Sequence, residues 1–124
     1  MTTTVLAIDD SRTIRNLLRV SLEGAGFAYF AAADGAEGVA MFAEVEPDVV
    51  ITDINMPVMD GYGVIDSLRN GPHATTVPII VLTTESSDDL KMRARDAGAT
   101  GWIVKPFEDA ALVSVLRRVT GHAS

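Results

Sequence analysis

The chain has 124 residues, of which 48% are apolar and 22% charged, so it is expected to fold as one globular domain with a substantial core and not as a disordered tail. Its formal net charge of −7 argues against a nucleic-acid or anionic-membrane surface, since either needs a basic patch. The absence of cysteine excludes disulfides and thiolate metal sites. The amino terminus has no basic region ahead of its short apolar run, and no stretch reaches the length of a membrane span, so a cytoplasmic protein is the expectation.

In chain order, Thr4 to Ile8 is a β-branched apolar run that predicts a strand covered on both faces. Asp10 or Ser11 can cap the helix that follows, with Ile14, Leu17, Leu18 and Leu22 as its apolar stripe and a stop near Gly24 to Gly26. Phe27 to Ala32 reads as a second strand and Ala36 to Glu44 as a helix with Val39, Ala40 and Ala43 on its weak apolar face. Pro47 breaks that helix before a third strand, Val49 to Thr52. A helix over Tyr62 to Arg69 ends at Asn70-Gly71-Pro72, and Ile79 to Leu82 is the fourth strand. Ser86 or Ser87 can cap a helix over Asp88 to Ala97 that stops at Gly98. Trp102 to Val104 is the fifth strand, and Asp109 to Val119 the last helix.

Strands alternating with helices argue for a parallel sheet with helices on both faces. In such sheets function gathers outside the carboxyl ends of the strands. Asp9, Asp10, Asp53, Thr83 and Lys105 all fall at carboxyl ends, and Asp53 is expected at a strand tip, open to solvent. Taken singly, Asp53 is a turn cap, Asp9-Asp10 a helix cap and Lys105 a solvated lysine; their convergence is what points to chemistry. Mg²⁺ prefers oxygen ligands and keeps several waters. Asp10, Asp53 and the backbone carbonyl of Asn55 suit it, with Asp9 acting directly or through water. An aspartate can attack phosphorus to give an acyl phosphate. Lys105, the Thr83 hydroxyl and backbone N–H groups near Asn55 are candidates to cover the phosphoryl oxygens. His73 and His122, in a loop and at the tail, are not expected to be metal ligands or phosphodonors.

Four segments in this order, IDDS (8–11), TDINMPVMDG (52–61), LTTE (82–85) and DAGATGWIVKPF (96–107), resemble the receiver domains of two-component signalling, in particular the single-domain CheY-like response regulators of chemotaxis. The resemblance runs end to end and implies a single receiver domain over 1–124, with a flavodoxin-like (βα)5 doubly wound parallel sheet of strand order 2-1-3-4-5. It implies that Asp53 accepts phosphate from a CheA-like histidine kinase, that Asp9 and Asp10 hold Mg²⁺, and that Lys105 senses the phosphoryl group. It further implies that Thr83 reorients towards the phosphate, that the aromatic at 102 swings inward, and that the Lys105-Pro106 bond is cis. Asn55 and Glu85 match positions that flank the phosphate and tune hydrolysis, which implies a short-lived phosphoryl group. Similar proteins most often carry tyrosine where this chain has Trp102, which leaves Trp102 readable as switch or as core.

The surface of the fourth helix, fifth strand and fifth helix is then expected to change its preference for a partner, the flagellar motor switch or another downstream protein. Lys91, Arg93 and Arg95 belong either to that surface or to a solvated face, and Val115 either to it or to the core. No output domain follows the last helix before Ser124, so the expected output is non-covalent binding by a monomer. The alternatives are a phosphate sink and an aspartyl-phosphate hydrolase. Against the hydrolase, Asn55 stands where a haloacid-dehalogenase-like site carries its second aspartate.

Overall fold

The structure is a computed structural model that describes residues 2–72 and 74–121; His73 and His122 lie outside the described residues. Its strands are β1 (Thr4–Ile8), β2 (Ala28–Ala32), β3 (Val49–Thr52), β4 (Ile79–Thr83) and β5 (Gly101–Val104). Its helices are α1 (Arg12–Gly24), α2 (Gly35–Val45), α3 (Gly61–Asn70), α4 (Asp88–Ala97) and α5 (Asp109–Val119). The strands pair in parallel in the order β2-β1-β3-β4-β5, the flavodoxin-like arrangement.

The strand order sets which face each helix covers. The step from β1 to β2 runs one way across the sheet and every later step runs the other way, so crossovers of one hand put α1 opposite α2, α3 and α4. The packing follows this. Val5, Ala7, Val49, Ile51, Ile80 and Leu82 pack with Leu18 and Leu22 of α1 and Leu112 and Leu116 of α5. Their alternating neighbours Leu6, Ile8, Val50, Ile79 and Val81 pack with α3 and with Ala94 of α4. β1, β3 and β4 thus bury both faces, and they read as continuous apolar runs for that reason.

Three local expectations are corrected. Leu17 is 52% exposed and does not share the stripe of Leu18 and Leu22, because one helix covering one sheet face buries a narrower arc than its apolar residues span. On α2, Ala40 and Ala43 are exposed; the inward face is Gly35 and Gly38, with Val39, Met41 and Phe42 at its flanks. A Cβ on Gly38 would collide with the Ile8 side chain, so glycine is what lets α2 approach β1 so closely. Phe27 precedes β2: its N–H donates to the Leu22 carbonyl and closes the end of α1, while its ring is buried.

Candidate phosphoacceptor site

Register brings the site together. Ile8 pairs with Thr52, which sets Asp9 and Asp53 side by side just past the ends of β1 and β3, where the direction of the strand order reverses. Thr83 pairs with Val104, and the Lys105 N–H donates to the Thr83 carbonyl, so Lys105 leaves the sheet on the same edge. Its ammonium then lies 2.8 Å from Oδ2 of Asp9 and 2.8 Å from Oδ2 of Asp53. The Lys105–Pro106 peptide is cis, as the family resemblance implied.

Asp53 is buried, not open to solvent as the strand-tip reading had it. Its Oδ1 accepts from the backbone N–H groups of Ile54 at 2.6 Å and Asn55 at 3.3 Å, and its Oδ2 from Lys105. The N–H groups of Ile54 and Asn55 therefore already serve the Asp53 carboxylate. Asp9 is held by the Ser11 N–H at 2.9 Å. Ser11, not Asp10, caps α1 through the Ile14 N–H, which leaves the exposed Asp10 carboxylate free of that duty. Gly61 lets the start of α3 approach the site closely: any Cβ there would strike the Asp53 backbone carbonyl.

The electrostatics follow from one ammonium serving two carboxylates. Burial would lower the Lys105 pKa, but hydrogen bonds to Asp53 and Asp9 outweigh it and the net shift is upward. Asp9 is raised, because its burial outweighs its share of Lys105 and the Ser11 N–H. Asp9, Asp10 and Asp53 each offer a carboxylate oxygen within 4.8 Å of the others. That hard, anionic oxygen set fits a Mg²⁺ ion, and a single lysine leaves it short of positive charge.

The remaining candidates form a second layer. Thr83 is fully buried, and its Oγ1 accepts from the Glu85 N–H at 3.4 Å. The Glu85 carboxylate accepts from the Asn55 amide at 3.2 Å, and its backbone carbonyl accepts from the Trp102 indole N–H at 2.9 Å. Glu85 thus touches Thr83, Asn55 and Trp102 at once. Trp102 packs on the α2–α4 side of the sheet, so core packing and the Glu85 contact coexist in one residue. Val115 packs against the α1–α5 core.

Sequence reasoning missed three residues. Arg15 donates to the Asp9 backbone carbonyl at 2.6 Å, and the Tyr29 hydroxyl donates to the Arg15 carbonyl at 2.8 Å; helix periodicity alone carries no sign of either. Tyr62, in the first turn of α3, is a buried ring with the Arg93 guanidinium 3.8 Å from its centroid. Of the three α4 cations left as either solvated or partner-facing, Arg93 is the one committed to this contact.

The comparisons agree with this geometry. The family model for the response regulator receiver domain matches residues 5–117. Chemotaxis protein CheY4 of Vibrio cholerae is 41% identical, superposes with a TM-score of 0.90, and is covered over 99% of its chain by 96% of this one. The receiver domain of sensor histidine kinase PA1611 from Pseudomonas aeruginosa is 26% identical with a TM-score of 0.88 (98% and 99% of the two chains covered), and holds a magnesium ion in its active-site cleft. A probable transcriptional regulator, ycf27 of Porphyridium aerugineum, is 40% identical over 97% of this chain and 50% of its own. The chain spans about half the length of several of the curated relatives it matches. With the strand order, the acidic edge and the matched family in agreement, the chain belongs to the response regulator receiver domains.

Proposed function

We propose that Asp53 accepts a phosphoryl group from a phosphohistidine on a CheA-like histidine kinase, and that the phosphorylated chain regulates a partner protein by non-covalent binding. The observation that carries this is the Lys105 ammonium bridging Asp9 and Asp53 at the reversal point of the sheet. An Asp53 oxygen forms the new O–P bond as the donor P–N bond breaks, and the electron pair stays on the imidazole nitrogen. Lys105 follows the incoming negative charge, and Thr83 leaves the Glu85 N–H to reach it. Asp9, Asp10, Asp53 and the Asn55 carbonyl are the groups that would hold Mg²⁺, which supplies charge neutralisation between the carboxylates and the phosphoryl oxygens. Asn55 and Glu85, already hydrogen-bonded to each other, border the route of a hydrolytic water and tune the lifetime of the acyl phosphate.

Phosphorylation adds roughly 1.5 to 2 negative charges at Asp53. Taking a population from nearly all resting to nearly all active needs about 5.5 kcal/mol of differential stabilisation. A phosphoryl group paired to Lys105 and metal, with an aromatic that repacks, is the order of change required. The likeness to CheY4, a chemotaxis protein, supports a chemotaxis-type switch; the proposed partner is the flagellar motor switch, and the proposed chain is a monomeric, cytoplasmic switch that catalyses only its own phosphoryl acceptance and loss. Among the described residues no helix is long and apolar enough to cross a membrane.

The half-length match to transcriptional regulators supports a second reading, a receiver that serves another two-component pathway, either as a regulator or as a phosphate sink. A pull-down with the motor switch protein, with and without beryllium fluoride and Mg²⁺, separates the two. Capture that requires the phosphoryl mimic supports motor regulation, and equal or absent capture in both states contradicts it. Treatment of the phosphorylated chain with hydroxylamine should release the phosphoryl group as an acyl phosphate; a hydroxylamine-stable label would contradict Asp53 as acceptor.

A further inference from the structure

Of the five helices, α4 has the fewest buried residues. Only Ala94 is buried, and its N-cap residue Ser87 makes no side-chain capping bond. Two side chains of α3 compensate. The Tyr62 hydroxyl donates to the Leu90 carbonyl at 3.0 Å, in the first turn of α4, and the Tyr62 ring supports the Arg93 guanidinium. At the other end, Arg69 Nε donates to the carbonyl of Gly98, the residue that caps α4, at 3.0 Å, and its Nη1 donates to the Thr75 carbonyl at 2.8 Å. Burial lowers the Arg69 pKa.

The spacing is coherent. Tyr62 and Arg69 are seven residues apart and share one face of α3, a span of about 10 Å, while Leu90 and Gly98 are eight apart, about 12 Å along a helix. α3 is itself rooted at the acceptor: the Gly61 N–H donates to the Ile54 carbonyl at 2.9 Å, and Asp60 caps the helix through the Gly63 N–H. A rigid element therefore runs from the residue next to Asp53 to both ends of α4, sharing no atoms with the contacts among Thr83, Glu85 and Trp102.

We infer that Tyr62 and Arg69 are positioning residues that brace α4 at its two ends, so that α3 sets the resting placement of the partner surface. The regulatory half of this rests on the proposed receiver switch; the brace itself does not. Both hydrogen bonds go to backbone carbonyls, so they hold α4 whatever side chains its outer face carries. A phosphoryl-induced shift of α4 must therefore break or slide these contacts.

Hydrogen exchange measured by mass spectrometry on the full chain, without metal or phosphodonor, tests the brace. Tyr62→Phe and, separately, Arg69→Met should each speed exchange in residues 88–97 about fivefold, the effect of losing one hydrogen bond, while α1 is unchanged. Tyr29→Phe, which removes the matching hydroxyl-to-carbonyl bond on α1, should do the reverse. With Mg²⁺ and acetyl phosphate, Tyr62→Phe should gain phosphoryl mass like the native chain, while its Trp102 fluorescence change per phosphoryl falls by about half as the resting state loses its restraint. Unchanged α4 exchange in both variants, or acceleration spread evenly over all helices, would overturn the brace, and a Trp102 response equal to that of a responding native chain would overturn its regulatory half. If the native chain itself gains no phosphoryl mass, the proposed acceptor fails, and the exchange comparison still decides the brace.

Discussion

The carboxyl ends of β1 and β3 and the region of α4 and β5 are built on opposite plans. The first places charged groups on strands whose every residue from Val49 to Thr52 is buried, so the positions of Asp9 and Asp53 are dictated by the core. The second rests on few apolar contacts: β5 is half-exposed along its length, and α4 buries one residue. β5 is held by its ladder to β4, but α4 is tied by single side-chain hydrogen bonds, from Tyr62 to Leu90 and Arg69 to Gly98, and the Trp102 side chain by one to Glu85. A site that must hold geometry sits on the stiff part. The proposed partner surface sits where about 1 kcal/mol per contact decides the outcome.

The largest effect expected from breaking this contrast is at Lys105. Lys105→Met leaves Asp9 and Asp53 without their cation, and the loss in urea-measured stability should be about 2–3 kcal/mol without metal. Added Mg²⁺ should restore much of it. A loss under about 0.5 kcal/mol, within the range of an exposed pair, would show that the bridge is not the stiff element described.

The stiff region also holds a strained point. Val58 has φ 69, with the Met59 N–H donating to the Pro57 carbonyl across it at 2.7 Å, a γ-turn centred on a β-branched residue that is 85% exposed. Val58→Gly, which has no Cβ to clash at positive φ, should raise stability by up to about 1 kcal/mol. No gain would mean that the apolar side chain makes contacts that offset its backbone strain.

Much of this plan was legible in the sequence, for a physical reason. Strands buried on both faces must be apolar throughout, so β1, β3 and β4 announced themselves, and the polar residues after each run marked the functional edge. Asp9, Asp53, Thr83 and Lys105 were placed by that logic alone. Asp53 was misjudged as open because its burial comes from Lys105, 52 residues further along the chain, and from a loop that folds its own N–H groups back onto the carboxylate. The arc each helix buries was harder to read, as Leu17 and Ala40 show, since it depends on how close a glycine such as Gly38 lets the helix come. Arg15, Tyr62 and Arg69 act through backbone carbonyls, and a contact that ignores the partner's side chain leaves no pairing pattern to find.

The soft region should answer to smaller changes. Trp102→Phe removes the indole N–H to Glu85 bond and should cost about 1 kcal/mol, seen as faster hydrogen exchange in the segment from Thr84 to Ser87 with β3 unaffected. Slower or unchanged exchange there would make Trp102 a packing residue only.

The least effect at ordinary pH is that of Tyr29, whose phenol burial pushes up to about 12 from 10.0. The folded chain keeps this proton after the unfolded chain has lost it. The contribution is therefore complete below about pH 10 and is lost as pH rises towards 12. Tyr29→Phe should flatten that part of the stability profile between pH 10 and 12; an unchanged slope would place the alkaline loss elsewhere.

The proposed switch stands or falls on Asp53 as phosphoacceptor, with Trp102 reporting its state. Intact mass after exposure to acetyl phosphate, with Trp102 fluorescence followed in parallel, tests it on the native chain and on Asp53→Asn. The expected result is one added phosphoryl mass in the native chain alone, dependent on Mg²⁺ and matched by a change in tryptophan emission. Equal mass gain in Asp53→Asn, or none in the native chain with Mg²⁺ present, would contradict it.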